Sequence, residues 1–374
     1  MEFVKIEDLI GYQIKGLWGE EFDGSFHCTP VIKTNNMNYD GTIDLDNLTY
    51  RYIKHDSILE NYLQKGDLLI EKSGGTKTHS VGYVTYFDGE EKKYVCNNFI
   101  LGLRPDTTKI NSKYLFYNLR FMYENGNFSD CYNKTTGIQN LKIKLYLAKK
   151  IKLIELSKQS EVIEVLDSIT KQISSLKSLL ENLDKIVKSQ FIKMFGTCNE
   201  YTNITNCVDI MDHLRKPINS EERMKMQEGI LYPYDGATGQ VGYVHDYLSD
   251  FEGLCIAEDC GNYKAGEESA YIVKGKIWVN NHAHLLKCKD DYNLYFLKEF
   301  LFQTDLSEYV NGATRQKLTQ SKLREIKVLN PSLELQNKFA DYVQQIDKSK
   351  FIVQKQIKLL EELLEKKMNE YFGQ

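Results

Sequence analysis

Each half of this 374-residue chain contains two polar, glycine-containing stretches whose side chains suit contact with a nucleic acid. Short hydroxyl and amide side chains hydrogen-bond to base edges, Lys and Arg hold phosphates, and glycine lets the main chain approach closely. In the first half we predict contacts from Ser73, Gly74, Gly75, Thr76, Lys77, His79, Thr136, Gly137, Gln139 and Asn140. In the second half we predict contacts from Gly236, Thr238, Gly239, Gln240, Thr314, Arg315, Gln316 and Lys317.

Some of these side chains also favour a particular base. Arg315 suits a guanine or a phosphate, and the amides of Gln240 and Gln316 suit adenine. An ordinary solvated turn is the alternative interpretation of each stretch, because Gly, Asn, Asp and Ser are also the common turn residues. The net charge is −4, and residues 197–330 carry 15 Lys and Arg against 20 Asp and Glu. Any nucleic-acid surface must therefore be a local feature of the chain.

The sequence offers little support for a nucleotide or metal site. The segment Lys72–Thr78 lacks the Gly-Lys-Ser/Thr spacing of a phosphate-binding loop. His282 and His284 would share one face of a strand, but no acidic or thiol ligand lies at a typical spacing, so packed or nucleic-acid-facing histidines are expected. The eight cysteines form no CxxC pair and predict free thiols.

Catalytic signatures are also missing. A nuclease metal site usually carries an acid-x-lysine arrangement, which does not occur around the carboxylates Asp67, Glu71, Glu258 and Asp259. We find neither a Gly-rich methyltransferase cofactor loop nor a Pro-Pro-aromatic tetrapeptide. We therefore expect no catalytic residue, no metal ligand and no cofactor site in this chain.

The polar stretches lie among segments with strand and helix patterns that recur in the same order. In the first half these are GDLLIEKSGG at 66–75, SVGYVTYF at 80–87, YVCNNFILGL at 94–103 and a helical pattern at 112–126. In the second half they are 230–244, 254–263, 276–288 and a helical pattern at 293–309. We match residues 73–75 with 259–261 and residues 95–98 with 279–282, and we treat 235–240 as the counterpart of the polar stretch at 73–80.

A repeat organises the whole chain. Residues 156–196 and 333–373 align without a gap at an offset of 177. Gln159 aligns with Gln336, and each segment ends in Phe-Gly. The repeat defines a first head (residues 1–155), a first spacer helix (156–196), a second head (197–330) and a second spacer helix (331–374). The helices repeat more faithfully than the heads do, which indicates a constant scaffold that carries two variable heads.

Both repeated segments carry an apolar seam of coiled-coil type. The first seam is Val162, Leu166, Ile169, Ile173, Leu176, Leu180, Leu183 and Val187. The second is Phe339, Val343, Ile346, Lys350, Val353, Ile357, Leu360 and Leu364. Lys350 interrupts it, either to fix the register of the pair or to extend its ammonium into water. Such seams require a partner, and each helix is the natural partner of the other.

These features together resemble the specificity subunit of type I DNA restriction-modification enzymes. The resemblance rests on the SGG turn after GDLLIE, on YDGATGQVGY, CIAEDCG, VNNHAH and GATRQKL, and on the P-x-L-x-x-Q start of the second helix. It covers essentially the whole chain. One departure is that the first helix has Ile154 where the second has Pro331, which leaves the start of the first helix open.

The resemblance implies an α+β fold with two α/β target-recognition domains and two long helices that pair as an antiparallel coiled coil. It implies a non-catalytic subunit that reads a bipartite, asymmetric site on double-stranded DNA. Because the sequence shows no apolar run long enough for a membrane span and no secretion signal, we expect a cytoplasmic chain with no membrane partner. Adenine methylation or restriction would be performed by two methyltransferase subunits, which carry S-adenosylmethionine, and by a restriction and translocation subunit. The alternatives are a nuclease or methyltransferase with its own activity, and a coiled-coil adaptor that binds no DNA.

Overall fold

The computed structural model describes residues 2–21, 28–76, 78–133, 138–312 and 316–373, apart from the side chain of His55. The chain divides into two compact units. The first unit is Met1–Ser175 with Ile357–Gln374, and the second unit is Leu176–Gln356. Each unit thus consists of one head and a part of each long helix. No described helix is long and apolar enough to span a membrane.

The first head and the helix that follows it are built from these elements. The strands are β1 (Glu2–Lys5), β2 (Ile10–Ile14), β3 (Glu20–Glu21), β4 (Thr29–Ile32), β5 (Thr49–Tyr52), β6 (Leu68–Glu71), β7 (Ser73–Gly74), β8 (Val84–Tyr86), β9 (Val95–Cys96), β10 (Ile100–Pro105), β11 (Gln139–Asn140) and β12 (Lys150–Leu153). The helices are α1 (His55–Leu59), α2 (Ser112–Glu124), α3 (Ile143–Leu147) and the long α4 (Leu156–Phe195).

The second head and its helix follow the same plan. The strands are β13 (Tyr201–Asn203), β14 (Val208–Ile210), β15 (Tyr232–Gly236), β16 (Gly239–Val244), β17 (Ser249–Asp250), β18 (Gly253–Ala257), β19 (Ala270–Val273), β20 (Lys276–Val279), β21 (Ala283–Cys288) and β22 (Lys327–Leu329). The helices are α5 (Ile204–Cys207), α6 (Ser220–Lys225), α7 (Leu294–Gln303), α8 (Gln320–Leu323) and the long α9 (Leu333–Phe372).

Sheet topology shows that the heads are two copies of one architecture. Each head has an antiparallel four-stranded sheet, β2-β10-β6-β8 in the first and β14-β21-β18-β19 in the second. A second four-stranded sheet, β3-β5-β4-β9 or β16-β15-β20-β17, contains one parallel pair. A short antiparallel pair, β1·β12 or β13·β22, ties the start of each head to the strand before its long helix. The predicted α+β class with two repeated heads is confirmed.

The backbone hydrogen bonds fix which residues of the two heads correspond. Asn97 donates its N–H to Ile32, and Asn280 donates its N–H to Asp235, so Asn97 corresponds to Asn280. The sequence match of residues 95–98 with 279–282 is therefore wrong by one residue, because matching Val with Val aligned identical letters from different strand positions. The match of residues 73–75 with 259–261 is correct, since Lys72 and Glu258 accept equivalent bonds from Leu141 and Leu318.

The long helices pair antiparallel in each unit. In the first unit the N-terminal half of α4 lies with the C-terminal turns of α9, and in the second unit the C-terminal half of α4 lies with the N-terminal half of α9. Every predicted seam position is buried or half-buried. Lys350 forms an ion pair with Asp184 of α4, so its side chain links the two helices, in agreement with the register-fixing alternative.

One repeated glutamine joins each head to its long helix. The Gln159 side chain donates to Ile154 O and accepts from Asn111 N, each at 2.8 Å. Gln336 makes the same pair of bonds to Pro331 O and Asn293 N, each at 2.9 Å. Both glutamines are almost completely buried. The helices α4 and α9 begin at equivalent residues, although only α9 is preceded by a proline. The glutamine hydrogen bonds, which both helices share, therefore explain the start of each helix better than the proline does.

Candidate nucleic-acid interface

In the first head the two predicted polar stretches meet in one short ribbon. The β7 strand pairs with β11, with Gly74 opposite Gln139 and Ser73 opposite Asn140. The Ser73 hydroxyl donates to Asn140 Oδ1 at 2.7 Å. The ribbon brings together residues more than 60 positions apart and leaves Asn140 exposed. Four of the predicted contact residues therefore form one continuous surface.

The ribbon is anchored from beneath by Glu71, whose carboxylate accepts the Gly75 N–H at 3.0 Å. Burial raises the pKa of Glu71, and the Gly75 N–H and His79 only partly offset this effect. Gly74 and Gly75 adopt φ values of 134° and 72°, which side-chain-bearing residues rarely tolerate. A Cβ on Gly74 would also lie 2.5 Å from Glu71 Oε1. Glycine is required here to turn the chain above a buried carboxylate.

The turn that follows is held by its own hydroxyl groups and by an aromatic stack. Thr76 Oγ1 accepts the N–H groups of Thr78 and His79. The His79 ring stacks on Tyr39 at a centroid distance of 3.7 Å. Tyr123 donates its hydroxyl to Ser80 O at 2.7 Å, which ties the end of the turn to α2. Thr76 and part of His79 are presented to solvent on a rigid support.

In the second head the residues predicted at 236–240 form the turn between β15 and β16. Gly236 pairs with Gly239, and Gly239 has a φ of 121°. Thr238 and Gln240 are exposed, whereas Gly236 is buried. The hydrogen-bond register makes this turn the counterpart of residues 33–36 of the first head, not of 73–80. Our assignment of 235–240 as the counterpart of 73–80 is therefore wrong, because both are glycine-rich but they follow different strands.

The true counterpart of the first-head ribbon is Asp259–Gly261 with Gln316 and Lys317. Asp259 forms a bridge with Lys317, and the exposed Cys260 replaces Gly74 with a φ of 57°. Gln316 and Lys317 are exposed. The sequence match of SGG with DCG contained this information, but the absence of a second glycine obscured it.

A buried charge network supports the second-head ribbon. His284 Nδ1 lies 2.7 Å from Asp212 Oδ2, and its Nε2 lies 2.8 Å from Leu318 O. Arg215 contacts Asp212 and Glu258, and Glu258 also accepts from Lys317 at 2.9 Å. Burial raises the pKa of Asp212, but its bonds from His284 and Gln320 outweigh this and hold it below its usual value. His284 is thus a packed structural residue, as one of the sequence interpretations expected.

Five predicted contact residues lie outside the described residues, so their contacts with DNA stay predictions. They are Lys77, Thr136, Gly137, Thr314 and Arg315. The remaining predicted residues lie in the two ribbons, in the turn that follows the first ribbon and in the β15–β16 turn, and their contacts with DNA stay predictions.

The carboxylates considered for a metal site all have protein partners. Asp67 pairs with Arg104 through two bonds of 2.8 Å, and Glu71 accepts the Gly75 N–H. Asp259 lies 2.8 Å from His282 Nδ1. Within the described ranges no group of three or more His, Cys, Asp or Glu is arranged to hold a metal ion.

A cleft beside the first-head ribbon was not predicted from the sequence. It is formed where residues 33–35 and 97–99 meet, and Phe99 O accepts the N–H groups of Lys72 and Ser73. The available signal was the Asn-Asn pair at 97–98, which recurs at 280–281 in the second head. The pair lay within the strand pattern at 94–103 and was not weighed as a reader of DNA bases.

Comparisons with known proteins agree with this duplicated arrangement. A family model described as the type I restriction modification DNA specificity domain matches residues 1–185 and 212–362. The Haemophilus influenzae protein named "Putative type I restriction enzyme specificity subunit S.HindORF215P" is 32% identical over 141 residues, which cover 38% of this chain and 35% of that protein. The alignment thus spans about a third of the length of this curated relative.

Two solved structures share the fold. The type I restriction-modification system S subunit from M. genitalium has a TM-score of 0.62 and 17% identity, over 99% of this chain and 96% of that one. A chain from a study of complex assembly and conformational transition of the type I R-M system has a TM-score of 0.52 and 13% identity, over 98% and 96%. At these identities the likeness concerns the fold alone.

Proposed function

Because the chain belongs to the family of type I restriction modification DNA specificity domains, we propose that it reads a split, asymmetric DNA sequence with its two heads. One head reads each part of the site. The observation that carries this proposal is that both heads hold an equivalent ribbon, and that the two ribbons expose different residues. The first head has Gly74 and the exposed Asn140 on its ribbon, and the second has the exposed Cys260 and Lys317 at the corresponding places.

The backbone hydrogen bonds that hold the two ribbons are alike, which supports a reading role. In both heads the ribbon follows a central strand of the antiparallel sheet, and Leu141 or Leu318 bonds to the residue before the turn. A shared support positions the main chain, while exposed side chains choose the bases. Two supports with different exposed groups favour two different half-sites.

We further propose that methylation and restriction are performed by partner subunits that bind the paired helices. Exposed apolar side chains along both helices support this part. Ile186 and Ile192 of α4 are 44% and 57% exposed, and Phe351 and Ile352 of α9 are 67% and 57% exposed. Apolar groups of this number on a helix surface favour a protein partner. The partners would be two methyltransferase subunits with S-adenosylmethionine and a restriction subunit, and this chain itself would supply no catalytic group.

The experiment is to map methylated adenines in cells that express this chain with its methyltransferase partner. The purified complex is then titrated with the mapped duplex and with a scrambled duplex of the same composition. We expect affinity for the mapped duplex to be at least about a thousandfold higher and to fall steeply with salt. Equal affinity for both duplexes contradicts the proposal and favours the coiled-coil adaptor. Turnover by the isolated chain with Mg²⁺ and S-adenosylmethionine favours an enzyme.

A matched pair of variants tests the heads themselves. Gln240→Ala removes an exposed amide on the β15–β16 turn, and we expect a loss of about tenfold in affinity for the mapped site only. Gln345→Ala removes an exposed amide from α9 and should leave binding unchanged. Equal behaviour of the two variants argues against base reading by this turn.

A further inference from the structure

The cleft beside the first-head ribbon is lined by basic, amide and aromatic side chains. Its volume is about 440 Å³. Its lining consists of Trp18, Lys33, Thr34, Asn35, Asn97, Asn98 and Phe99. The cleft combines one ammonium group, three amides and two aromatic rings. Because Phe99 O accepts the Ser73 N–H, the cleft and the proposed reading ribbon form a continuous surface.

Phe99 is an exposed phenyl ring on a rigid support. The ring is 51% exposed, although it lies among polar residues. Its N–H donates to Asn97 Oδ1 at 3.1 Å, and Asn97 is itself only 5% exposed and bonds to Ile32 O. The backbone around Phe99 is therefore fixed before any ligand arrives, so the ring is held ready for an apolar partner.

Three polar side chains of the cleft, those of Lys33, Asn35 and Asn98, have no side-chain partner among the described residues. In the part of the chain that the structure describes, the amides of Asn35 and Asn98 make no side-chain hydrogen bond, and Lys33 Nζ has no ion-pair partner. Asn35 and Asn98 are exposed. In the second head the corresponding surface is different, since Gly236 replaces Lys33 and His282, which is bonded to Asp259, replaces Phe99.

An A·T base pair matches this combination of groups. In the major groove adenine offers N6 and N7 to an asparagine amide, and thymine offers its 5-methyl group to an apolar side chain such as Phe. We propose that the first head reads an A·T pair in this cleft, with Phe99 against the thymine methyl group and Asn35 or Asn98 on adenine. Lys33 binds an adjacent phosphate. This inference rests on the proposed function, and it adds a base preference that the second head lacks at this position.

The test replaces each thymine of the mapped site, one at a time, with uracil, which removes only the methyl group. The full chain in complex with its methyltransferase partner is titrated with each duplex. We expect one replacement to weaken binding about fourfold, the value of one buried methyl group. In Phe99→Ala the same replacement should have no effect. Loss of the uracil effect in this variant identifies the thymine that Phe99 contacts.

Two controls separate this inference from its alternatives. Phe3→Ala removes a phenyl ring of similar exposure, 50%, from β1, and it should keep the full uracil effect. Replacing an adenine of the mapped site with 7-deazaadenine removes its N7 acceptor, and if Asn98 makes the adenine contact, this replacement should weaken binding in the unaltered chain but not in Asn98→Ala. If Phe99→Ala keeps every uracil effect while the mapped site is still preferred, this inference is wrong and the proposed function stands. Loss of all preference for the mapped site in the unaltered chain contradicts the proposed function instead.

Discussion

Asp235 sets a pH-dependent limit on the stability of the second head. Its carboxyl is only 4% exposed, and Oδ2 has no hydrogen-bond partner among the described residues. Burial raises the pKa of Asp235 from its ordinary value of 3.8 to about 6. The corresponding position in the first head is Ile32, which is fully buried. Asp235 is therefore a carboxyl group in a place where the same architecture elsewhere holds an apolar side chain.

The magnitude follows from the change in pKa. One pKa unit is worth about 1.36 kcal/mol, so ionised Asp235 lowers the free energy of unfolding by about 2–3 kcal/mol once partial solvent screening is included. The folded chain binds more protons than the unfolded chain between about pH 4 and pH 6. The free energy of unfolding therefore falls as the pH rises through this range. At higher pH Asp235 is ionised in both states and causes no further change. Asp235→Asn should remove this fall.

The two tryptophans make the measurement simple, because each head contains one. In a Trp18→Phe background, Trp278 alone reports on the second unit, where it is 4% exposed. Urea unfolding is followed by its fluorescence from about pH 4.5 to pH 8, with and without Asp235→Asn in this background. We expect the advantage of Asp235→Asn to grow by about 2 kcal/mol between the two ends of this pH range, because most of the titration of Asp235 lies within it.

The matched control is Asp291→Asn, because Asp291 is exposed in the same head. Its unfolding free energy should follow that of the unaltered chain at every pH. Parallel curves for Asp235→Asn and the unaltered chain refute the reasoning, since they mean that the Asp235 carboxyl titrates alike in the folded and unfolded states.

Three further perturbations test the scaffold. Gln336→Leu leaves Asn293 N–H and Pro331 C=O without their bonds, and it should lower the unfolding free energy read by Trp278 by about 2–5 kcal/mol. Asp67→Ala leaves the Arg104 guanidinium without its carboxylate, and in a Trp278→Phe background Trp18 should report a loss of about 3 kcal/mol. Ile357→Asp and Leu176→Asp place a charge in the helix seam, so both should lower the melting temperature, with the larger effect at the more buried Ile357. Leu359→Asp lies on the exposed face of α9 and should melt like the unaltered chain, so equal losses at 357 and 359 argue against the seam.

Most of the element plan was predictable because it depends on local spacing. The seam positions of α4 and α9, the buried strand β6 and the helices α2 and α7 all follow from apolar periodicity within one segment. Pairing between distant segments was harder. Ser73 pairs with Asn140, and Asp259 pairs with Lys317, through hydrogen bonds that no short-range sequence pattern predicts.

The candidate site shows the same division. The four polar stretches were recognised by composition, but the match of 235–240 with 73–80 was wrong because glycine content does not encode which strand precedes a turn. The cleft at Phe99 was missed because its two sides come from residues 33–35 and 97–99, which are far apart in the chain. Its amides have the composition of an ordinary turn until the parallel pairing of β4 with β9 places them around a phenyl ring.

The sequence by itself determined that this chain consists of two heads and two long helices, because a repeat and a heptad seam are properties of spacing along the chain. Only the tertiary structure decided which polar residues lie together and which charged groups are buried. The strands that carry Ser73 and Asn140, or Asp235 and Val279, meet through backbone hydrogen bonds between distant segments. Those bonds depend on the folded sheet, and side-chain type alone does not specify them.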